Sequence, residues 1–354
     1  MPANAGPPPT TSACEPRPAP ATAAAPAGRP VAGPPPPGAT VALTGATGFL
    51  GGYILDRLSQ SGYRVRALTR RPQPDRPGVT WVPGRMDDDA SLRRLVAGAQ
   101  GLVHNAGLVR AWNRAEFFSV NAWGTLRLAM AVGMAAPEMR RCVLISSLAA
   151  RSPRLSAYAA SKRAAEQIWA GLPATMAPVA LRPPAIYGPG DQEVLRLLKA
   201  GRSGFLPAPA GRRGRFSLIH ARDAAEAIHA ALACPSLPEP VYELGDGHDQ
   251  GYRMADVAAL MRSMVARQPV VVPVPRLLVW ALGSANTLFG RIGRRAVFFS
   301  AGKAREAIHP DWVSAADRGG PTIPGWTPGV SLEAGLKETL THAGLLPDDP
   351  PANT

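Results

Sequence analysis

The short apolar run Thr40-Val41-Ala42-Leu43 passes directly into Thr44-Gly45-Ala46-Thr47-Gly48-Phe49-Leu50-Gly51-Gly52. Tyr53-Ile54-Leu55-Asp56-Arg57-Leu58 follows with helical apolar spacing. A buried strand, a tight glycine turn and a helix, in that order, leave few folds open. Glycine permits the turn and a close backbone approach, and the helix N-terminus offers unpaired N–H groups and a positive dipole end. A dinucleotide pyrophosphate needs that arrangement. Three glycines in a turn carry little weight alone. Their place between strand and helix gives them meaning.

Further strand candidates are Val65–Leu68, Val79–Val82, Leu102–His104, Cys142–Ile145 and Val179–Leu181, separated by helical patterns at Ala90–Ala97, Ala115–Ala135 and Tyr158–Leu172. Strands alternating with helices predict an α/β fold, a doubly wound parallel sheet of the Rossmann kind covered on both faces. After Arg182 the alternation breaks and proline and glycine crowd the chain, which predicts a smaller C-terminal substrate-binding lobe. The predicted NAD(P)-binding domain covers 39–182, with a return strand and helix over 215–234. The lobe takes 183–214 and 235–343, and a tail runs over 344–354. Within the lobe, the apolar stretch Leu277–Phe289, with Trp280, is too short to span a bilayer. It reads as a packed core helix.

Composition sharpens both ends of this picture. Residues 1–38 hold 13 of the 39 prolines and only three charged residues, so they predict a disordered arm. The formal charge is +14, which invites a nucleic-acid or membrane partner. Yet 35 of the 39 basic residues are arginines scattered along the chain, and the densest spots, Arg212–Arg215 and Arg291–Arg295, lack interleaved aromatics. Solvated loops are the expected reading, with no nucleic-acid partner. Cys14, Cys142 and Cys234 have no paired spacing, and neither histidines nor carboxylates show metal-ligand spacing, so no metal is expected. Without a visible secretory signal or membrane segment, a cytoplasmic protein is expected. A homodimer is compatible with the sequence.

Two patterns carry chemistry. Thr69-Arg70-Arg71 ends the second strand, where an acid would take the 2′-hydroxyl of NAD and arginine suits the 2′-phosphate of NADP. NADP is therefore the expected cofactor, with NAD the alternative. Tyr158 and Lys162 stand four apart on one helix face, where an ammonium can stabilise a phenolate and lower its pKa. Ser146-Ser147 ends the preceding strand, and Asn121 sits in a helix one unit earlier.

Taken in order, Thr-Gly-x-x-Gly-x-x-Gly (44–51), His104-Asn105-Ala106-Gly107, Asn121-Ala-Trp-Gly-Thr125, Ser146-Ser147, Tyr158-x-x-x-Lys162, Arg182-Pro-x-x-x-Tyr187-Gly-Pro-Gly-Asp191 and Ile219-His220-x-x-Asp223 form a specific series. Over about residues 39–343 the chain resembles the extended short-chain dehydrogenase/reductase superfamily, which includes NAD(P)-dependent epimerases, dehydratases and 3β-hydroxysteroid-dehydrogenase-like enzymes. The resemblance implies Tyr158 as general acid/base, with Lys162 lowering its pKa and holding the nicotinamide ribose. It implies Ser147 as the group binding the reacting oxygen, with Ser146 the fallback, and Asn121 ordering a water relay. Gly45, Thr47, Gly48, Phe49, Leu50 and Gly51 would serve the pyrophosphate, Asn105, Ala106 and Gly107 the adenosine ribose side, and Pro183 to Ile186 the carboxamide.

Two departures bear on this. Gly84-Arg85-Met86 stands where the family usually has Gly-Asp-Leu near the adenine, leaving Met86 backbone as the expected contact. Asn105-Ala106-Gly107 replaces a common Ala-Ala ending. Where sugar-nucleotide epimerases of the family usually place a diphosphate-binding arginine, this chain has Phe216, with Arg215 one residue earlier. A one-residue shift on a strand turns the side chain to the other face. The expected activity is thus interconversion of an alcohol and a ketone or aldehyde on a small apolar substrate. The alternatives are an NAD-dependent nucleotide-sugar epimerase/dehydratase and a non-catalytic NADP-binding sensor or assembly protein.

Overall fold

The computed structural model describes residues 33–265, 269–293, 297 and 299–346. Residues 1–32 of the expected arm and the end of the expected tail lie outside them. Residues 33–38 belong to the folded body: Pro35 is buried, and the Tyr63 hydroxyl donates to its carbonyl at 3.5 Å.

β1 (Thr40–Thr44) delivers the chain through the glycine turn into α1 (Phe49–Gln60). β2 (Arg64–Thr69), β3 (Val79–Pro83), α2 (Asp89–Val96) and β4 (Gly101–His104) follow. The expected helix over 115–135 is α3 (Arg114–Phe118) and α4 (Gly124–Ala135), joined by a π-helical turn, Ser119–Trp123. Then come β5 (Arg141–Ile145), α5 (Ala157–Trp169) and β6 (Pro178–Arg182). Successive β1 residues feed opposite faces of the sheet, as the pleat demands. Val41 and Leu43 join Ile54, Leu58, Ile228 and Leu232 in one core, while Ala42 joins Leu92, Leu128 and Trp169 in the other. Burial on both faces explains why these strands read as continuous apolar runs.

Pro183-Pro184 interrupts the chain after β6. β7 (Ala185–Tyr187), α6 (Val194–Arg202), β8 (Phe205–Ala208), β9 (Arg215–Phe216), β10 (Leu218–His220), α7 (Ala221–Ala233) and β11 (Val241–Glu243) succeed one another. The central sheet has seven strands in the order β3-β2-β1-β4-β5-β6-β11, every pair parallel. This corrects the expected division of the chain. α7 does pack on α1 in the first core, but the strand before it does not return to the sheet; β10 pairs with β7 instead. The seventh strand is β11, drawn from the segment assigned to the lobe. Three residues are too few to declare a strand by pattern, and only pairing with Ala180–Arg182 makes β11 one.

The rest of the lobe consists of β12 (Tyr252–Arg253), α8 (Met254–Met261), β13 (Val270–Pro273), α9 (Arg276–Ile292), α10 (Ala301–Ala307), β14 (Asp311–Trp312) and α11 (Leu332–His342). Its core gathers Tyr187, Leu198, Leu206, Met261 and Leu336. A second correction concerns Leu277–Phe289. It is helical, within α9, but not a packed core helix. Val279, Gly283 and Gly290 are buried, whereas Leu277, Leu278, Trp280, Leu282, Leu288 and Phe289 are exposed. The stretch has no charged residue to mark a solvent side, and its polar Asn286 is used inward, donating to the Phe299 carbonyl at 2.9 Å.

Candidate active site

One cavity of about 1050 Å³ runs from the glycine turn across the C-terminal ends of β1, β4 and β5 into the lobe. At its near end the turn is shaped by close approach. Gly45 has φ +75°, and a Cβ there would lie 2.7 Å from the Ala106 amide nitrogen. A Cβ on Gly51 would lie 1.9 Å from the Gly45 carbonyl oxygen. Gly48 caps α1 without any side-chain hydrogen bond, and the first turn of the helix has no acid. The helix thus presents free amides and a positive end to the cavity. Thr47, Gly48, Phe49 and Leu50 line it; Gly51 lies beneath, and its missing side chain is what lets the turn close.

Behind the turn, buried His104 ties two segments together. Its Nδ1 meets Thr44 Oγ1 at 2.7 Å and its Nε2 meets Thr125 Oγ1 at 2.9 Å. Burial, with Lys162 nearby, drops its pKa to about 3, so it stays neutral and structural. Asn105 Nδ2 donates to the Gly45 carbonyl at 3.2 Å, joining the two loops that line this end. Arg70 and Met86 line the wall, whereas Arg71 is exposed and is not among the lining residues. Arg85 also lines the cavity, paired with Asp87 at 3.0 Å. It comes to the same end of the cavity as Arg70 because β2 and β3 pair through Thr69 and Pro83.

Tyr158 lies deep in the middle of the cavity, on the first turn of α5, whose N-cap Ser156 accepts from the Ala159 amide at 2.9 Å. Ser147 is hydrogen-bonded to the phenol. Here the structure corrects the expected electrostatics. Burial raises the Tyr158 pKa above the ordinary tyrosine value; the Ser147 hydrogen bond lowers it, and Glu306 and Glu193 raise it further. Lys162 is not among the groups acting on the phenol. Its ammonium donates to the Ile145 carbonyl at 2.6 Å, and burial brings its own pKa down to about 8 against the pull of Glu166. The phenol is therefore held protonated.

The fallback hydroxyl is committed elsewhere. Ser146 Oγ donates to Glu166 Oε1 at 2.5 Å, and Arg182 clamps the same carboxylate with two bonds of 2.8 Å. Asn121, on the π-helical turn, accepts from the Leu108 amide at 2.7 Å and donates to the Leu108 carbonyl at 3.0 Å and to Ser161 Oγ at 2.9 Å. Both of its amide hydrogens are occupied, so it fastens Leu108 to α5. Gly107 touches this junction: a Cβ there would lie 3.2 Å from Asn121 Oδ1 and 3.4 Å from Lys162 Nζ. Pro183 and Ile186 line the wall opposite.

Beyond Tyr158 the cavity is bounded by Trp112, Phe117, Phe216 and Trp312, with Thr287 and residues 300–303 on the far side. The Phe117 and Tyr158 rings are 6.0 Å apart. Charge here is paired: Arg110 with Glu193 at 2.9 Å, and Lys303 with Glu193 at 3.7 Å and with Glu306 at 3.8 Å. These lobe residues were missed because no local pattern announces them; they converge from four separate segments. Among the described residues no cluster could hold a metal ion.

A cavity that leads from a phosphate-binding turn to a protonated phenol is built for nicotinamide-dependent oxidoreduction on a Rossmann frame. Comparison with known proteins agrees: residues 41–245 match the model of the NAD dependent epimerase/dehydratase family. A ceramide reductase of Caulobacter vibrioides is 36% identical over 320 residues, 87% of this chain and 96% of that protein. A 2-alkyl-3-oxoalkanoate reductase of Shewanella oneidensis is 26% identical over 83% of this chain and 84% of that protein. The chain belongs to the NAD-dependent epimerase/dehydratase family and is an NAD(P)-dependent enzyme of the extended short-chain type. Solved structures share the fold. The human epimerase family protein SDR39U1 with NADPH has a TM-score of 0.63 at 20% identity, covering 85% of this chain and 99% of that one. The UDP-glucuronic acid 4-epimerase of Bacillus cereus with NAD scores 0.62 at 17% identity, covering 86% and 96%.

Proposed function

We propose that this chain is an NADP-dependent reductase of a ketone carried on an apolar, lipid-like molecule. The observation that carries this reading is the side chain at the head of β9. Phe216 faces the cavity, and Arg215 turns away to donate to the Gln250 carbonyl at 2.9 Å. The lobe therefore offers an aromatic surface where a sugar diphosphate would need a cation. Other arginines at this end are engaged, Arg110 with Glu193 and Arg305 with the Leu155 carbonyl at 2.7 Å. The two reductases described above act, by their names, on molecules with long or alkyl-substituted chains, which supports the same class.

The residues present fit a dinucleotide. The Gly45–Gly51 cradle would be filled by any Cβ, and the open N-terminus of α1 suits a pyrophosphate. Arg70, with Arg85 at the same end of the cavity, would meet the 2′-phosphate of NADP. When bound, the nicotinamide supplies or accepts hydride. Tyr158 gives its phenolic proton to the carbonyl oxygen in reduction, and its raised pKa keeps that proton in place beforehand. Ser147 holds the same oxygen by a second hydrogen bond. Lys162, anchored on Ile145, holds the ribose side. Asn121 positions the loop that closes over both. Cytoplasmic residence belongs to this reading, since Cys142 and Cys234 are free and buried.

Fluorescence titration with NADPH and NADH, followed by reduction of 3-oxo lipids, tests the proposal. NADPH should bind more tightly, and Tyr158→Phe should end turnover without weakening NADPH binding. Turnover of a UDP-sugar with no ketone reduced would overturn it.

A further inference from the structure

The outer face of α9 is an unpartnered apolar strip. Leu277 and Ile292 are 75% exposed, Phe289 71%, Leu288 58% and Leu282 56%. On a helical wheel these residues, with Leu278, Ala281 and Ala285, occupy one continuous face. No charged residue occurs between Arg276 and Arg291. The opposite face is locked to the body: Val279 is buried, and a Cβ on Gly283 would lie 2.6 Å from the Ala304 Cβ. β13, which leads directly into α9, exposes Val270 and Val272 as well. So large an apolar patch on a folded surface marks an interaction site.

The charge around this strip selects its partner. From Val257 to Arg305 the sequence has eight basic residues and no acidic one. In sequence, then, the apolar helix lies within a stretch that carries basic residues and no acidic one. An apolar helix face in a stretch with arginine at either end and no acid suits the interface of an anionic bilayer, where rings and aliphatic chains enter the headgroup boundary and basic residues favour lipid phosphates. A helix of 17 residues is about 25 Å long, shorter than the roughly 30 Å hydrocarbon core. Among the described residues no helix is long and apolar enough to cross a membrane.

We propose that α9 is a membrane-docking helix that seats the enzyme on an anionic lipid surface. Its position gives docking a use. Thr287 of α9 and Ala301, Gly302 and Lys303 of α10 line the far end of the cavity, so that end lies beside the docked surface. Docking itself rests on the exposed strip and its charge, and it stands whatever ketone the enzyme reduces.

Co-sedimentation of the full chain with phosphatidylcholine vesicles, with and without phosphatidylglycerol, tests this. Binding to the anionic vesicles should exceed binding to the neutral ones and should weaken with salt. Leu282→Glu/Phe289→Glu should lower it by about tenfold or more, and Arg276→Glu should lower it less. All variants should keep NADPH binding and turnover of a short-chain, water-soluble ketone. Failure of the wild-type chain to bind either vesicle overturns the proposal, as does full binding by the double variant. A wild-type dimer that ignores vesicles and becomes monomeric in the double variant overturns it too, and assigns the strip to a second copy of the chain.

Discussion

The two ends of the cavity are built on different principles. Around the glycine turn nearly every atom has an assigned neighbour: glycines sit where a Cβ would clash, His104 is bonded through both nitrogens, and Asn121 uses both amide hydrogens. At the lobe end, by contrast, short two-stranded pairings and α9 leave large apolar groups exposed. The first region is fixed on every side, so its tolerance for substitution is small. The second leaves more of its apolar surface outside its own core. A substitution should therefore be costly in proportion to how completely its neighbours are fixed.

The sharpest break is expected at Tyr158. Tyr158→Phe should lower kcat by about a thousandfold while NADPH binding measured by fluorescence stays unchanged. Gly51→Ala should come next, because its Cβ would overlap the Gly45 carbonyl at 1.9 Å. Thermal denaturation should show a loss of about 3 kcal/mol, together with lost cofactor binding. The matching change in the lobe, Leu282→Gln on an exposed position, should alter stability by less than about 0.5 kcal/mol. Equal losses at the two sites would remove the contrast drawn here.

Smaller effects refine the cofactor end. Arg70→Ser should weaken NADPH by about tenfold, or ~1.4 kcal/mol, and leave NADH binding untouched. Loss of both affinities together would place Arg70 outside the 2′-phosphate subsite. The pH profile of kcat/KM reads Lys162. With a pKa brought down to about 8, its ammonium is present below that pH and lost above it. Activity should therefore decline as pH rises through about 8, and the weak residual activity of Lys162→Met should lack that limb.

The cofactor end was largely legible because its determinants are local. A strand, a glycine turn and a helix lie within about twenty residues, and Tyr158 and Lys162 share one helix face. Contacts that depend on distant groups were not legible. Lys162 was expected to lower the phenol's pKa, but the Ile145 carbonyl holds the ammonium, while burial and Glu306 act on Tyr158 from another element. Asn121 was expected to order water, yet its amide is taken up by Leu108 and Ser161. The alternation that predicts strands could not reveal β11, three residues long, or show that β10 would leave the sheet.

The sequence by itself determined the Rossmann frame and the position of the glycine turn, because each follows from residues a few places apart obeying the periods of helix and strand. The tertiary structure alone decided that Ser146 is committed to Glu166, that burial raises the phenol's pKa, and that the apolar stretch at Leu277–Phe289 faces outward. Those outcomes depend on burial and on partners far along the chain. Neither is encoded in any short window.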